Sequence, residues 1–245
     1  MIDIHQHIVY GIDDGPKTIS ESLQMLRLAA EHGTTGIIAT SHAYSDIREF
    51  PLERYARHLE QLRGLCREYN IPIELYEGCE IFYSDMVPRQ LEEGRMTSMA
   101  GSRYVLVEFE PAVKLDTLCD AVRILANHRY RPVIAHCERY AALHKEIDVI
   151  EELKQQFDAG FQMNASAFID AALFDRRLPG RVRKFRDAML EQELVDYIAS
   201  DGHNCHSRLP VLDAAYKWVS KTYDEAYAHE LFYAHQMRLL RGARR

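Results

Sequence analysis

Seven times along this chain an apolar or β-branched run gives way to a helix-like stretch, and most of these runs end in a histidine or a carboxylate. The opening run ends in His5-Gln6-His7, and the others cover residues 34–40, 73–80, 104–110, 132–136, 161–164 and 195–200. Between the first two, Thr18-x-x-Glu21 reads as a capping box for an amphipathic helix of about fifteen residues, closed by Gly33. Pro51 opens a second helix reaching about residue 70. Further helical patterns fall near 84–93, 115–129, 145–157 and 181–193, and 210–240 reads as helical with a second capping box at Thr222-x-x-Glu225. No Pro/Gly/Ser linker or repeat divides the chain, so one α/β domain is expected over 1–245, either a barrel or a doubly wound sheet.

The strand ends carry the chemistry. Residues two apart on a strand point to the same side, so His5 and His7 are aimed together. The later runs end in Thr40-Ser41-His42, Gly78-Cys79-Glu80, Val107-Glu108, Ala135-His136 and Ser200-Asp201-Gly202-His203. In the fourth run, Val105, Val107 and Phe109 are expected to face helices, leaving Leu106 and Glu108 to the interior. A barrel gathers the C-terminal ends of its strands on one face. His5, His7, His42, His136, His203, Glu80, Glu108 and Asp201 would then share one bowl. Each alone is an ordinary surface histidine or solvated carboxylate; together they form a donor set too large for one metal ion and suited to two or three. Imidazole with carboxylate and no thiolate favours Mn, Fe or Zn over Ca or Mg, and Glu80 is the candidate bridge. Such a centre would hold a phosphate dianion and acidify a water for attack on phosphorus.

Composition removes several alternatives. A net charge of −7 argues against a nucleic-acid partner. No apolar run approaches membrane-spanning length, and the N-terminus lacks a basic segment before an apolar core, which argues against membrane insertion and secretion. The five cysteines are scattered, without a Cys-x-x-Cys pair, as expected of reduced thiols in a cytoplasmic protein. None of them has an arginine six positions on, which removes the cysteine-dependent phosphatase route.

His5-Gln6-His7 with Gly11-Ile12-Asp13-Asp14-Gly15, then Gly78-Cys79-Glu80-Ile81, His136-Cys137-Glu138-Arg139-Tyr140, Gln162-Met163-Asn164-Ala165 and Ala199–Asn204, follow in an order that resembles the PHP-type (polymerase and histidinol phosphatase) tyrosine-protein phosphatases of bacterial capsule and exopolysaccharide loci. The resemblance covers nearly the whole chain. It implies a distorted (β/α)7 TIM-like barrel with three divalent metal ions, typically manganese. It also implies hydrolysis of phosphotyrosine on the tail of a partner autokinase, without a covalent phosphoenzyme. Carried over position by position, the metal ligands would be His5, His7, His42, Glu80, Glu108, His136, Asp201 and His203, with Arg139 on the substrate phosphate. The planar fork of Arg139 suits that role; a salt bridge to Glu138 is its ordinary alternative.

The chain departs from the family in two places. Thr40-Ser41-His42-Ala43 stands where the family has Thr-Pro-His-His, followed by a short, different segment over 44–50, and Cys137 replaces a proline. These changes touch the substrate side more than the metal side. The candidate catalytic residues are Arg139, Asp14 and His42, and those for substrate are Arg139, Asn164 and Tyr44. Asp13 and Asp14 could protonate a leaving group or hold an imidazole, or simply make a turn. Tyr44 and Phe50 could stack on an aryl ring or pack locally. His32 and His128 fall at helix C-termini, and His58, His144, His206, His229 and His235 read as surface or packing residues. The basic tail 238–245 reads as a helix end, with a membrane-surface contact or a homo-oligomer contact as further readings. The nearest rival function is a phosphatase for histidinol phosphate or a similar small monoester; from another class, a non-catalytic assembly module.

Overall fold

A computed structural model describes residues 1–44, 48–169 and 178–242. Among these, seven strands form one parallel sheet in sequential order: β1 (Ile2–Gln6), β2 (Gly36–Tyr44), β3 (Glu74–Phe82), β4 (Tyr104–Glu108), β5 (Arg131–Ile134), β6 (Gly160–Asn164) and β7 (Tyr197–Ala199). The order never reverses, which excludes the doubly wound alternative. The seam from β7 to β1 is closed at the strands' C-terminal end. Asp201 N donates to His5 O at 2.8 Å, and His7 N donates to Gly202 O at 2.9 Å. Lower on the same seam, the buried Asp3 carboxylate accepts from Ser200 N at 3.0 Å and Ser200 Oγ at 2.5 Å. The result is a nearly closed TIM-like (β/α)7 barrel.

The helices are α1 (Ile19–Glu31), α2 (Leu52–Glu68), α3 (Val87–Glu92), α4 (Leu115–Asn127), α5 (Ile147–Phe157), α6 (Gly180–Glu191), α7 (Asp213–Thr222), α8 (Glu225–His229) and α9 (His235–Gly242). Alternation along β4 divides the core as expected. Val105, Val107 and Phe109 join Leu118 and Val122 of α4 in the outer layer. Leu106 joins Ile2, Ile38, Val133 and Tyr197 inside the barrel, where Leu239 and Leu240 of α9 complete the cluster. The ligand-type side chains stand at the opposite rim.

Several boundaries differ from the sequence reading. Strand β2 runs on to Tyr44 because it pairs residue for residue with β3, from Gly36 opposite Glu74 to Tyr44 opposite Phe82. The helix expected over 84–93 is confined to α3, with Pro88 in its first turn, where a missing N–H costs nothing. The C-terminal helical stretch breaks at Tyr223 and Asp224. Its expected capping box fails: Thr222 ends α7, and the Asp224 carboxylate caps α8 by accepting from Tyr227 N at 2.7 Å. At α1, Thr18 Oγ1 does cap Glu21 N at 3.3 Å, but the Glu21 carboxylate reaches Lys17 N, one residue short of a reciprocal box. Residues 45–47 of the segment after His42, and 243–245 of the basic tail, lie outside the described residues.

Candidate metal centre

Strand β1 holds an extra residue relative to β2 between Asp3 and Gln6. This bulge shifts the side-chain phase, so that Ile2 and Ile4 fill the interior while His5 and His7 also face inward at the rim. On β2, β3 and β4 no shift is needed, since His42, Glu80 and Glu108 keep the phase of Ile38, Tyr76 and Leu106. His136 and Asp201 follow strands β5 and β7 in left-handed conformations, φ 33° and 53°. Each such conformation costs a non-glycine residue roughly 1–2 kcal/mol, and here it turns a ligand-type side chain into the bowl.

All eight side chains picked out at the strand ends converge. Glu80 is at the centre. Its Oε2 lies 3.1 Å from His5 Nε2, 3.0 Å from His7 Nε2 and 3.2 Å from His42 Nδ1, while its Oε1 lies 2.8 Å from His136 Nε2. Glu108 lies 2.8 Å from His42 Nδ1, and Asp201 Oδ1 lies 3.5 Å from His5 Nε2. Among the described residues, three groups bring ligand atoms within 4.8 Å of one another: His5, His7, Glu80 and Asp201; His42, Glu80 and Glu108; and His7, Asp14, His42 and His203. His136 joins them through Glu80.

The tautomers are set from behind. His5 Nδ1 donates to Gln162 Oε1 at 3.0 Å, His7 Nδ1 to Asp13 Oδ2 at 2.8 Å, and His203 Nδ1 to Asp201 O at 2.9 Å. Each of these rings, when it carries only that proton, presents an Nε2 lone pair to the bowl, the arrangement metal-ligating histidines adopt. Tyr140 Oη sits 3.3 Å from His136 Nδ1 and accepts from Phe109 N at 3.0 Å.

These contacts are close but badly matched as hydrogen bonds. The Nε2 atoms of His5 and His7 stand 3.4 Å apart, and the buried His42 Nδ1, Glu80 Oε2 and His203 Nε2 have no hydrogen-bond partner. Buried polar atoms are ordinarily satisfied, so lone pairs aimed at one another in the dark point to cations between them. The charge pattern agrees. Burial works to lower the pKa of His5 and His7, yet Glu80 with Asp201, and Asp13 with Glu80, outweigh it and raise both. Protons are held where divalent cations would otherwise balance the carboxylates. The donor set fits such ions.

Arg139 makes no bridge to Glu138; its guanidinium donates to Asp201 Oδ2 at 2.6 Å. Arg208, which no sequence pattern singled out, donates to Asp201 Oδ1 at 2.7 Å and lies 3.5 Å from Asp14 Oδ2. Both guanidiniums line a cleft of about 340 Å³ that reaches His42, Glu80 and Tyr44. Asn164 is not on that cleft. It is buried, donating to Asp201 Oδ2 at 2.8 Å and accepting from Gln162 Nε2 at 2.9 Å. Arg208 left no signal in the sequence, and Gln162 only its place in Gln162-Met163-Asn164-Ala165 and the alternation within β6. His32 bonds Asp213, His58 stacks on Tyr10, and Phe50 packs on Tyr55. The thiols of Cys79 and Cys137 are pushed up by burial, to about 11 for Cys79, and neither is available as a thiolate.

Fold and site together define a TIM-like barrel hydrolase type, with a candidate histidine–carboxylate metal centre at the C-terminal mouth of a parallel sheet. A family model for capsular polysaccharide synthesis proteins, CpsB/CapC, matches residues 1–241. The chain belongs to the CpsB/CapC family. The tyrosine-protein phosphatase CpsB of Streptococcus pneumoniae is 33% identical over 234 residues, 95% of each chain. The putative tyrosine-protein phosphatase CapC of Staphylococcus aureus is 30% identical over 209 residues, 85% of this chain and 79% of that protein. A chain from the crystal structures of YwqE of Bacillus subtilis and CpsB of Streptococcus pneumoniae, unique metal-dependent tyrosine phosphatases, matches with a TM-score of 0.87 at 26% identity, over 99% of this chain and 95% of that one. Among the described residues, no helix is long and apolar enough to cross a membrane.

Proposed function

We propose that this chain is a metal-dependent tyrosine-protein phosphatase that releases phosphate from a phosphorylated autokinase tail in the cytoplasm, within capsule or exopolysaccharide production. One domain, 1–245, would carry the activity, with three divalent ions, manganese foremost and iron or zinc as substitutes. His5, His7, His42, Glu80, Glu108, His136, Asp201 and His203 would hold them. The observation that carries this reading is Glu80 Oε2, buried and unpartnered, with three imidazole nitrogens within 3.2 Å. A carboxylate so surrounded would suit sharing between cations. The family and its named relatives supply the substrate class.

When bound, such ions supply Lewis acidity to phosphoryl oxygens and lower the pKa of water at neutral pH. The chain's own residues do the positioning. Arg139 and Arg208 offer forked donors to a phosphate entering the cleft, exchanging part of their hold on Asp201 for it. Asp14 is exposed at the mouth of the bowl, and the His203 ring 3.2 Å away, despite some desolvation, holds its carboxyl down to about 2. It therefore stays ionised and suits a place among the ligands better than that of a proton donor. A tyrosine phenol, with a pKa of about 10, leaves without strong need of a general acid.

The intact donor set is what a non-catalytic assembly module would have no reason to keep. The test is direct: purified enzyme, with manganese, on a phosphotyrosyl kinase tail and on histidinol phosphate. Preference for the tail is expected. Equal rates would withdraw the tyrosine assignment, and chelator-insensitive, thiol-dependent turnover would withdraw the metal mechanism.

A further inference from the structure

Resting on the phosphatase reading above, we propose that Tyr44 and Phe82 form an aryl-recognition layer that selects aryl over alkyl phosphomonoesters by depth. The pairing of β2 with β3 and of β3 with β4 puts Tyr44, Phe82 and Glu108 side by side on the rim. Tyr44 stands two residues beyond His42 on one strand, and Phe82 two residues beyond Glu80 on the next. Each ring therefore shares the inward phase of a ligand-type side chain, roughly 6–7 Å further along its own strand at about 3.3 Å per residue.

The two rings are 5.9 Å apart, tilted at 34°, and both line the cleft that reaches His42, Glu80 and Arg139. Neither wall is free to collapse. Tyr44 is held between the His42 ring at 5.7 Å and the Arg48 guanidinium at 5.6 Å. Phe109, an outer-layer side chain that also borders the cleft beside Glu108, is fixed edge-on by Tyr140 at 5.8 Å. A phosphoryl group seated at the cation level would carry an aryl ring up between these walls. An alkyl phosphate on a short side chain would leave the aromatic level empty, or drag its polar main chain into it, where Tyr44 and Phe82 offer π faces and edges and a single hydroxyl, that of Tyr44. Recognition of the ring is therefore separate from recognition of the phosphate.

The experiment uses non-hydrolysable probes, so that leaving-group chemistry does not enter. Phenylphosphonate and methylphosphonate are compared on the manganese-loaded full chain, as inhibitors of p-nitrophenyl phosphate turnover and as ligands in calorimetry, for wild type, Phe82→Leu and Tyr44→Leu. A lost aromatic pairing is expected to weaken phenylphosphonate binding roughly threefold to tenfold per ring, with the methylphosphonate constant moving less than twofold. If both probes weaken together, the rings merely support the cation layer and the proposal is overturned. It is also overturned if neither moves, or if wild type prefers methylphosphonate. Should wild type turn over no phosphomonoester, the phosphatase reading fails, while the calorimetric ratio still decides the aryl layer.

Discussion

Asp13 Oδ2 accepts the Nδ1 proton of His7 at 2.8 Å, which leaves Nε2 as the only lone pair of that ring, aimed at Glu80. The same oxygen accepts from His42 N at 2.9 Å, and Asp13 Oδ1 accepts from Gly15 N at 3.0 Å. One carboxylate thus ties the end of β1 to the end of β2. Gly15 is required by close approach: a Cβ there would stand 2.6 Å from His7 O.

Asp13→Asn is therefore expected to weaken metal binding about 10- to 100-fold, the usual cost of losing a carboxylate behind a ligating histidine. Calorimetric manganese titration of the chelated protein measures it. Affinity within twofold of wild type would show that Asp13 only shapes the turn.

Glu80→Gln keeps the volume and removes the charge that four imidazoles surround. Turnover of p-nitrophenyl phosphate is expected to vanish, whereas Cys137→Ser, which alters a buried and protonated thiol, should keep it. Chelation should abolish wild-type activity and added Mn²⁺ restore it.

Arg139→Ala and Arg208→Ala each delete charge-assisted hydrogen bonds to an incoming phosphate, worth about 1.5–3 kcal/mol. A fall in kcat/KM of roughly 10- to 100-fold is expected for each, read from steady-state kinetics at saturating metal. If Arg208→Ala left kcat/KM unchanged, its contacts with Asp201 and Asp14 would be structural only.

Stability of the metal-free protein should depend on pH with a definite sign. Burial opposes charge on His5, His7 and His42, but their carboxylate neighbours outweigh it and raise all three above 6.5. A raised histidine contributes stability that is complete below the unfolded value, about 6.5, and is lost as pH climbs through the folded one. Thermal melts of chelated protein should therefore fall as pH rises above about 6.5. Melts of the manganese-loaded protein should not follow that fall, because cations replace the protons. A chelated protein whose melting temperature rises over that range would contradict this account.

How much of this was legible in the chain follows from periodicity. Along β2, β3 and β4 the alternation that buries Ile38 and Leu106 also carries His42, Glu80 and Glu108 inward, so position along the chain determined which way they face. The order of the strands and the gathering of their C-terminal ends were likewise implied by repeated βα units. Only the tertiary structure decided the rest. The bulge in β1 that turns His5 and His7 inward is a matter of register between neighbouring strands. The left-handed turns at His136 and Asp201 lie past the last ladder pair of their strands. Asp14 and Arg208 come from loops, where no period links spacing to direction, and the choice of Asp201 over Glu138 as the partner of Arg139 was made by the closing of β7 on β1. Local alternation is a property of consecutive residues; register, closure and loop path are settled only when distant segments compete for the same space.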